Sequence, residues 1–159
     1  MENENTYFVA ISPPENMLGQ AKELGLKNFI ALAPSTDAVY LSRFYNTIDV
    51  FAHARRDGET FGCVLAEAMI HSKPIVSHLT PFMNAQKEVI GDAGFVCDQD
   101  NWRQYAEHLT KLRDDSAHRK LLSDRAHQRA LDQFEARALT KRLEKTYLEL
   151  LSQKSNAKT

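Results

Sequence analysis

The sequence predicts an α/β protein, a Rossmann-like three-layer αβα arrangement around a parallel sheet, followed by C-terminal helices. Three observations predict it. Short β-branched or aromatic runs at residues 6–11, 29–33, 50–54, 75–77 and 95–97 alternate with segments whose apolar residues recur at helical spacing. That alternation is the pattern of βαβ units feeding a parallel sheet. From Asn101 onward the pattern turns to helix alone, and a chain of 159 residues with 43% hydrophobic content can bury one core without disulfides or a metal.

In chain order, residues 6–11 form the first strand, and Ser12-Pro13-Pro14 breaks it. Met17, Leu18, Ala21 and Leu24 then mark a helix that Gly25 closes. The second strand, 29–33, leads to Pro34-Ser35-Thr36-Asp37, a capped turn before a short helix over 39–44. The third strand ends in small residues, so 55–59 reads as a strand-to-helix loop, with Phe61 or Gly62 opening a helix that runs to Ile70. Phe61, Val64, Leu65, Ala68 and Met69 share one side of it. Ser72-Lys73-Pro74 hands over to the strand at 75–77, completing a βαβ unit. A helical segment over 81–90, the turn Gly91-Asp92-Ala93-Gly94 and the last strand follow. Three helices are marked by Trp102, Tyr105, Leu109 and Leu112, then Leu121, Leu122, Ala126 and Ala130, then Leu139, Leu143, Tyr147, Leu148 and Leu151. The expected organisation is one domain over 1–152 and a polar tail over 153–159, with no internal repeat.

Composition narrows the function. Twenty basic against twenty-one acidic residues leave a net charge of -1 and no general attraction to nucleic acid or anionic lipid. Cys63 and Cys97 lack metal-ligand spacing and read as buried free thiols in a reducing compartment. No apolar run approaches the roughly 20 residues of a membrane span, and the acidic start Met1-Glu2-Asn3-Glu4-Asn5 is not a signal peptide. The expected location is cytoplasmic, with membrane contact at most peripheral.

Chemistry concentrates in residues 57–69, where Glu59 and Glu67 flank a glycine-containing turn and the start of a helix. Taken singly, each carboxylate is an ordinary solvated charge. Together, they sit at the carboxyl edge of a parallel sheet, where α/β folds bind ligands. Gly58 and Gly62 keep the backbone uncluttered around Phe61, and a helix N-terminus there offers N–H groups to an anion such as a diphosphate. A metal is the rival occupant, but neither a histidine nor a third carboxylate recurs at ligand spacing, so no metal is expected.

Asp49-Val50-Phe51-Ala52-His53-Ala54, Glu59-Thr60-Phe61-Gly62, Glu67-Ala68-Met69 and Lys73-Pro74-Ile75-Val76 together resemble the C-terminal, nucleotide-sugar-binding half of retaining GT-B glycosyltransferases, group 1 or family 4-like. The resemblance extends from about Tyr7 to Tyr147 and includes the Glu88-Val89-Ile90-Gly91-Asp92-Ala93-Gly94 turn. It implies a donor domain that binds a nucleotide diphosphate sugar as substrate, needs no cofactor, and transfers the sugar to an acceptor hydroxyl. It further implies that Glu59, the one catalytic assignment, accepts hydrogen bonds from donor-sugar hydroxyls. The amides of Thr60, Phe61, Gly62 and Cys63 would approach sugar and diphosphate, Val64 would line the nucleoside, and Glu67 would hold the ribose hydroxyls. A carboxylate suits vicinal hydroxyls because its two oxygens accept both protons in charge-assisted bonds.

The sequence departs from that pattern in several places. The acceptor-binding half, the first donor-half strand and the cations that hold the diphosphate, a Gly-Arg and a downstream Lys, do not precede Thr6. The loop after Ser77, usually glycine-rich, reads His78-Leu79-Thr80-Pro81-Phe82-Met83-Asn84. Arg55 and Arg56 read as solvated loop cations, and His53 as a satisfied core or rim residue rather than a base. A separate acceptor-binding domain or subunit, or self-association through the strand at 6–11 or the last helix, is therefore expected. The alternative reading is a non-catalytic nucleotide-sugar-binding or scaffold module. A dinucleotide oxidoreductase lacks its G-x-G-x-x-G, since Ser12-Pro13-Pro14-Glu15-Asn16 stands there. Nucleic-acid binding lacks an aromatic-basic stripe.

Overall fold

Every strand pairing among the described residues is parallel, as it must be when helices carry the chain back between strands. The computed structural model describes residues 5–156; the acidic start over 1–4 and the end of the polar tail over 157–159 lie outside them. The chain divides into two compact units, Met1–Ile48 and Asp49–Thr159.

In the first unit, β1 (Phe8–Ile11) is followed by α1 (Glu15–Glu23), β2 (Phe29–Leu32) and α2 (Ala38–Thr47). β1 and β2 pair from Phe8 against Phe29 to Ile11 against Leu32. α1 ends as the sequence indicates, with Gly25 in the left-handed region at φ 66°. α2 starts where the Asp37 carboxylate accepts the Tyr40 amide at 2.7 Å, and it runs further than the 39–44 expected.

The second unit holds the sheet β3 (Phe51–Ala52), β5 (Ile75–His78) and β7 (Gly94–Cys97), with β5 in the centre. All four residues of β5 are buried, which is why it reads as a continuous run and not as an alternation. α3 (Cys63–Ile70) and α4 (Ala85–Ile90) come from the connections, while α5 (Trp102–Asp114), α6 (Ser116–Gln133) and α7 (Ala136–Asn156) follow the sheet. Val76, Cys97, Tyr105, Leu112 and Leu122 form one buried cluster that joins sheet to α5 and α6. Arg129 of α6 ties to the end of α4 through the Val89 carbonyl at 2.8 Å and the Glu88 carbonyl at 2.6 Å.

Three expectations need correcting. The loop over 55–59 contains a short strand, β4 (Gly58–Glu59), paired with β6 (Met83–Asn84), so the helix expected from 81 begins at Ala85. Asn84 is the reason. Its side chain accepts the Thr80 amide at 2.8 Å and donates to the Thr80 carbonyl at 2.9 Å, an arrangement that satisfies a turn in place of a helix. Cys97 is buried as expected but Cys63 is exposed, because the first residue of α3 falls at the open end of the helix and not on its packed face. α7 continues through Ser152 to Asn156, into the segment read as a polar tail, since no proline or glycine stops it.

Candidate functional site

The site is built from the end of β3, the β4–β6 pair and the first turns of α3. Glu59 reaches it on β4, and the two glycines beside it make that placement feasible. Gly58 has φ 75°, and a Cβ there would lie 2.0 Å from the Met83 carbonyl oxygen, so only glycine lets β4 approach β6 this closely. Gly62 has φ 83° as the N-cap of α3. A Cβ there would meet Leu65 Cδ1 at 2.8 Å and Glu59 Cγ at 3.2 Å, so the Glu59 side chain lies against the bare glycine.

Glu59 is 8% exposed and His53 7%. His53 Nε2 lies 3.1 Å from Glu59 Oε1, and His53 Nδ1 lies 3.0 Å from Ser77 Oγ. A carboxylate only accepts, so the proton is on Nε2 and the Ser77 hydroxyl donates to Nδ1. Ser77 is anchored in the fully buried β5, and His53 N donates to the Val76 carbonyl at 2.8 Å. Glu59 thus inherits its orientation from the centre of the sheet. Burial holds the His53 imidazole below its ordinary pKa, ahead of the upward pull of the Glu59 hydrogen bond and charge, with His78 and Arg55 adding to the lowering. Arg55 grips Asp57 through Nε at 2.7 Å and Nη2 at 3.0 Å, and its Nη1 stands 3.5 Å from Glu59 Oε1. That bidentate bond holds the exposed Asp57 carboxyl below the usual carboxylate range.

The remaining residues singled out from the sequence follow Glu59 into the first turns of α3. Thr60, Phe61, Cys63, Val64 and Glu67 are exposed, and Gly62 is buried. Phe61 meets Phe134 edge to face with ring centroids 5.3 Å apart. Glu67 lies on α3, whose first turn, like that of any helix, leaves backbone N–H groups without intrahelical acceptors. The sequence indicates His53 as a satisfied core or rim residue but does not signal that His53, itself held by Ser77, holds Glu59. Nothing in a spacing of six residues, or twenty-four, signals that contact. Arg55, read as solvated, is committed to Asp57 and Glu59. Among the described residues no group of three or more His, Cys, Asp or Glu side chains could hold a metal ion, and no helix is long and apolar enough to cross a membrane.

The chain is similar to known proteins in sequence and in fold. It is 29% identical over 110 residues to a D-inositol 3-phosphate glycosyltransferase of Thermomonospora curvata, covering 69% of this chain and 25% of that one. Its fold resembles that of Anabaena HepE, solved in complex with UDP-glucose, with a TM-score of 0.76, 18% identity and coverage of 92% of this chain and 42% of that one. It also resembles WaaG, a glycosyltransferase involved in lipopolysaccharide biosynthesis, with a TM-score of 0.70, 23% identity and coverage of 82% and 35%. The chain therefore spans about a quarter of the curated relative and well under half of each of these solved chains. A profile of the family described as glycosyl transferases group 1 matches residues 11–129, with Glu59 and Glu67 inside the match, and the chain belongs to that family.

Proposed function

We propose that the chain is the donor-binding part of a retaining glycosyltransferase: it binds a nucleotide diphosphate sugar, and an acceptor-binding domain or separate subunit completes the reaction site. The observation that carries the reading is the setting of Glu59, a buried carboxylate locked by His53 at the glycine-capped start of a helix on the carboxyl edge of a parallel sheet. Such a group is preorganised, so it accepts sugar hydroxyls without reorganising when the ligand arrives. Oε1 is engaged by His53, leaving Oε2 for a hydroxyl of the donor sugar.

In this reading Glu67 takes the ribose hydroxyls and the α3 amides face the diphosphate. Thr60, Phe61, Gly62, Cys63 and Val64 form the wall between sugar and nucleoside. The acceptor hydroxyl attacks the anomeric carbon on the face that the nucleotide leaves, and the departing phosphate takes its proton. This chain contributes position and charge stabilisation, with no nucleophile of its own. The proposed location is cytoplasmic. A second reading, a binding module without turnover, draws on Arg55: the cation beside Glu59 is already held by Asp57.

The exposed Cys63 and buried Cys97 supply a test. Alkylation by iodoacetamide should proceed at Cys63 and spare Cys97, and saturating UDP-, GDP- or ADP-glucose should slow the Cys63 reaction. Equal labelling rates with and without every nucleotide sugar would refute donor binding at this helix start. Binding without transfer in the presence of the relevant acceptor half would favour the module.

A further inference from the structure

We propose, resting on the donor reading above, that Phe134 at the corner between α6 and α7 is a positioning residue for residues 60–63. Glu59 is fixed by His53, and Gly62 caps α3, but residues 60–62 between β4 and α3 belong to neither strand nor helix. Thr60 is exposed and Gly62 has no side chain, so the Phe61 ring is the handle by which this segment can be gripped. That ring meets Phe134 edge to face, with centroids 5.3 Å apart and planes at 84°, the arrangement that aromatic pairs favour.

Phe134 can hold Phe61 because it is itself held. Its amide donates to the Ala130 carbonyl at 3.0 Å and closes α6, while Arg142 of α7 donates through Nη2 to the adjacent Gln133 carbonyl at 2.6 Å. On the other side, the Glu135 carboxylate accepts the Ala138 amide at 3.0 Å and starts α7. α6 is also tied to the far end of α3, where His127 Nδ1 donates to the Ile70 carbonyl at 2.8 Å. α6 therefore runs antiparallel along α3 and engages both of its ends, His127 at the last helical residue and Phe134 at the residue before the N-cap. Core packing alone explains this poorly. Phe61 is 40% exposed, and neither ring belongs to the buried cluster of Val76, Cys97, Tyr105, Leu112 and Leu122, so the pair fixes a direction more than it buries apolar area. With its ring engaged by α6, Phe61 offers a ligand its backbone, and the amides of residues 60–63 keep one arrangement between Glu59 and α3.

Three substitutions separate positioning from stability. Phe134→Leu keeps an apolar side chain and removes the ring, and Phe134→Tyr keeps the ring. Leu122→Val trims a buried residue of α6 about 18 Å along the helix from Phe134, at 1.5 Å per residue. Each full-length protein is titrated with UDP-, GDP- and ADP-glucose, and amide hydrogen exchange of residues 60–63 is followed without ligand. Phe134→Leu should weaken the nucleotide sugar that the wild type binds by about two- to tenfold, the loss of one aromatic pair, and should speed exchange at 60–63. Phe134→Tyr should keep wild-type values of both, and Leu122→Val should lower Tm while changing neither. In a double-mutant cycle with Phe61→Leu the two affinity losses should be less than additive, because both break the same contact. Wild-type affinity in Phe134→Leu, losses that add in full, or a matching affinity loss in Leu122→Val would overturn the proposal and leave the donor reading standing. A wild type that binds none of the three nucleotide sugars would overturn the donor reading, and the proposal with it.

Discussion

His53 and Glu59 are a pair whose energetics differ from those of Glu67, although the sequence presents two similar glutamates. Glu67 is exposed on α3, so Glu67→Gln should change folding stability by no more than about 0.5 kcal/mol while weakening nucleoside diphosphate binding by about 1.5–3 kcal/mol. Glu59→Ala removes the acceptor of a buried imidazole N–H, which should cost about 1–3 kcal/mol in a denaturant melt. Equal stability losses for the two would contradict the described pairing. The sign for pH follows from the lowered His53 pKa. The unfolded chain binds a proton near pH 6.5 and the folded one only at lower pH, so stability is full above about pH 6.5 and is lost as pH falls toward the folded value. His53→Gln, which cannot titrate, should flatten the thermal-melt profile over that window. His108, also lowered, chiefly by burial, should leave a remainder. An unchanged profile would remove His53 from the account. Glu59 and Glu67 were legible because they stand in a recognisable frame of Phe-Gly and Ala-Met. The His53–Ser77 support was not, because it depends on how β3 and β5 lie side by side.

Strands and helices were legible to different degrees for physical reasons. β1, β2, β5 and β7 are runs of β-branched or aromatic residues, and proline or glycine marks their ends, so their order emerged from pattern alone. The β4–β6 pair did not, because each strand is two residues long and the register is fixed by Asn84 side-chain bonds and by bare Gly58. Two substitutions test this layer. Gly62→Ala must place a side chain at φ 83° against Leu65 and Glu59, a left-handed penalty of roughly 1–2 kcal/mol that should lower Tm and weaken nucleotide-sugar binding together. Gly58→Ala meets a backbone carbonyl, which cannot turn aside as a side chain can, so it should be the more damaging of the two. A Gly58→Ala protein with wild-type Tm and binding would contradict the close approach of β4 to β6.

The chain covers a quarter of its curated relative, and α7 carries an apolar stripe with nothing of the described chain across it. Leu139, Leu143, Tyr147, Leu150 and Leu151 recur at helical spacing and are all exposed. Surface of this kind marks an interaction site, and association that rises with concentration in sedimentation equilibrium, and is reduced by Leu143→Glu, is the expected behaviour. A monomer at every concentration would leave the stripe for an acceptor half supplied by another segment or subunit. The central claim is that this chain binds a nucleotide sugar through two glutamates with separate tasks, and calorimetric titration tests it most directly. Wild type, Glu59→Gln and Glu67→Gln are each titrated with a nucleoside diphosphate and with the corresponding nucleotide sugar. The account predicts that Glu67→Gln weakens both ligands and Glu59→Gln weakens the nucleotide sugar alone; negligible effects of both substitutions on a measurable wild-type affinity would contradict it.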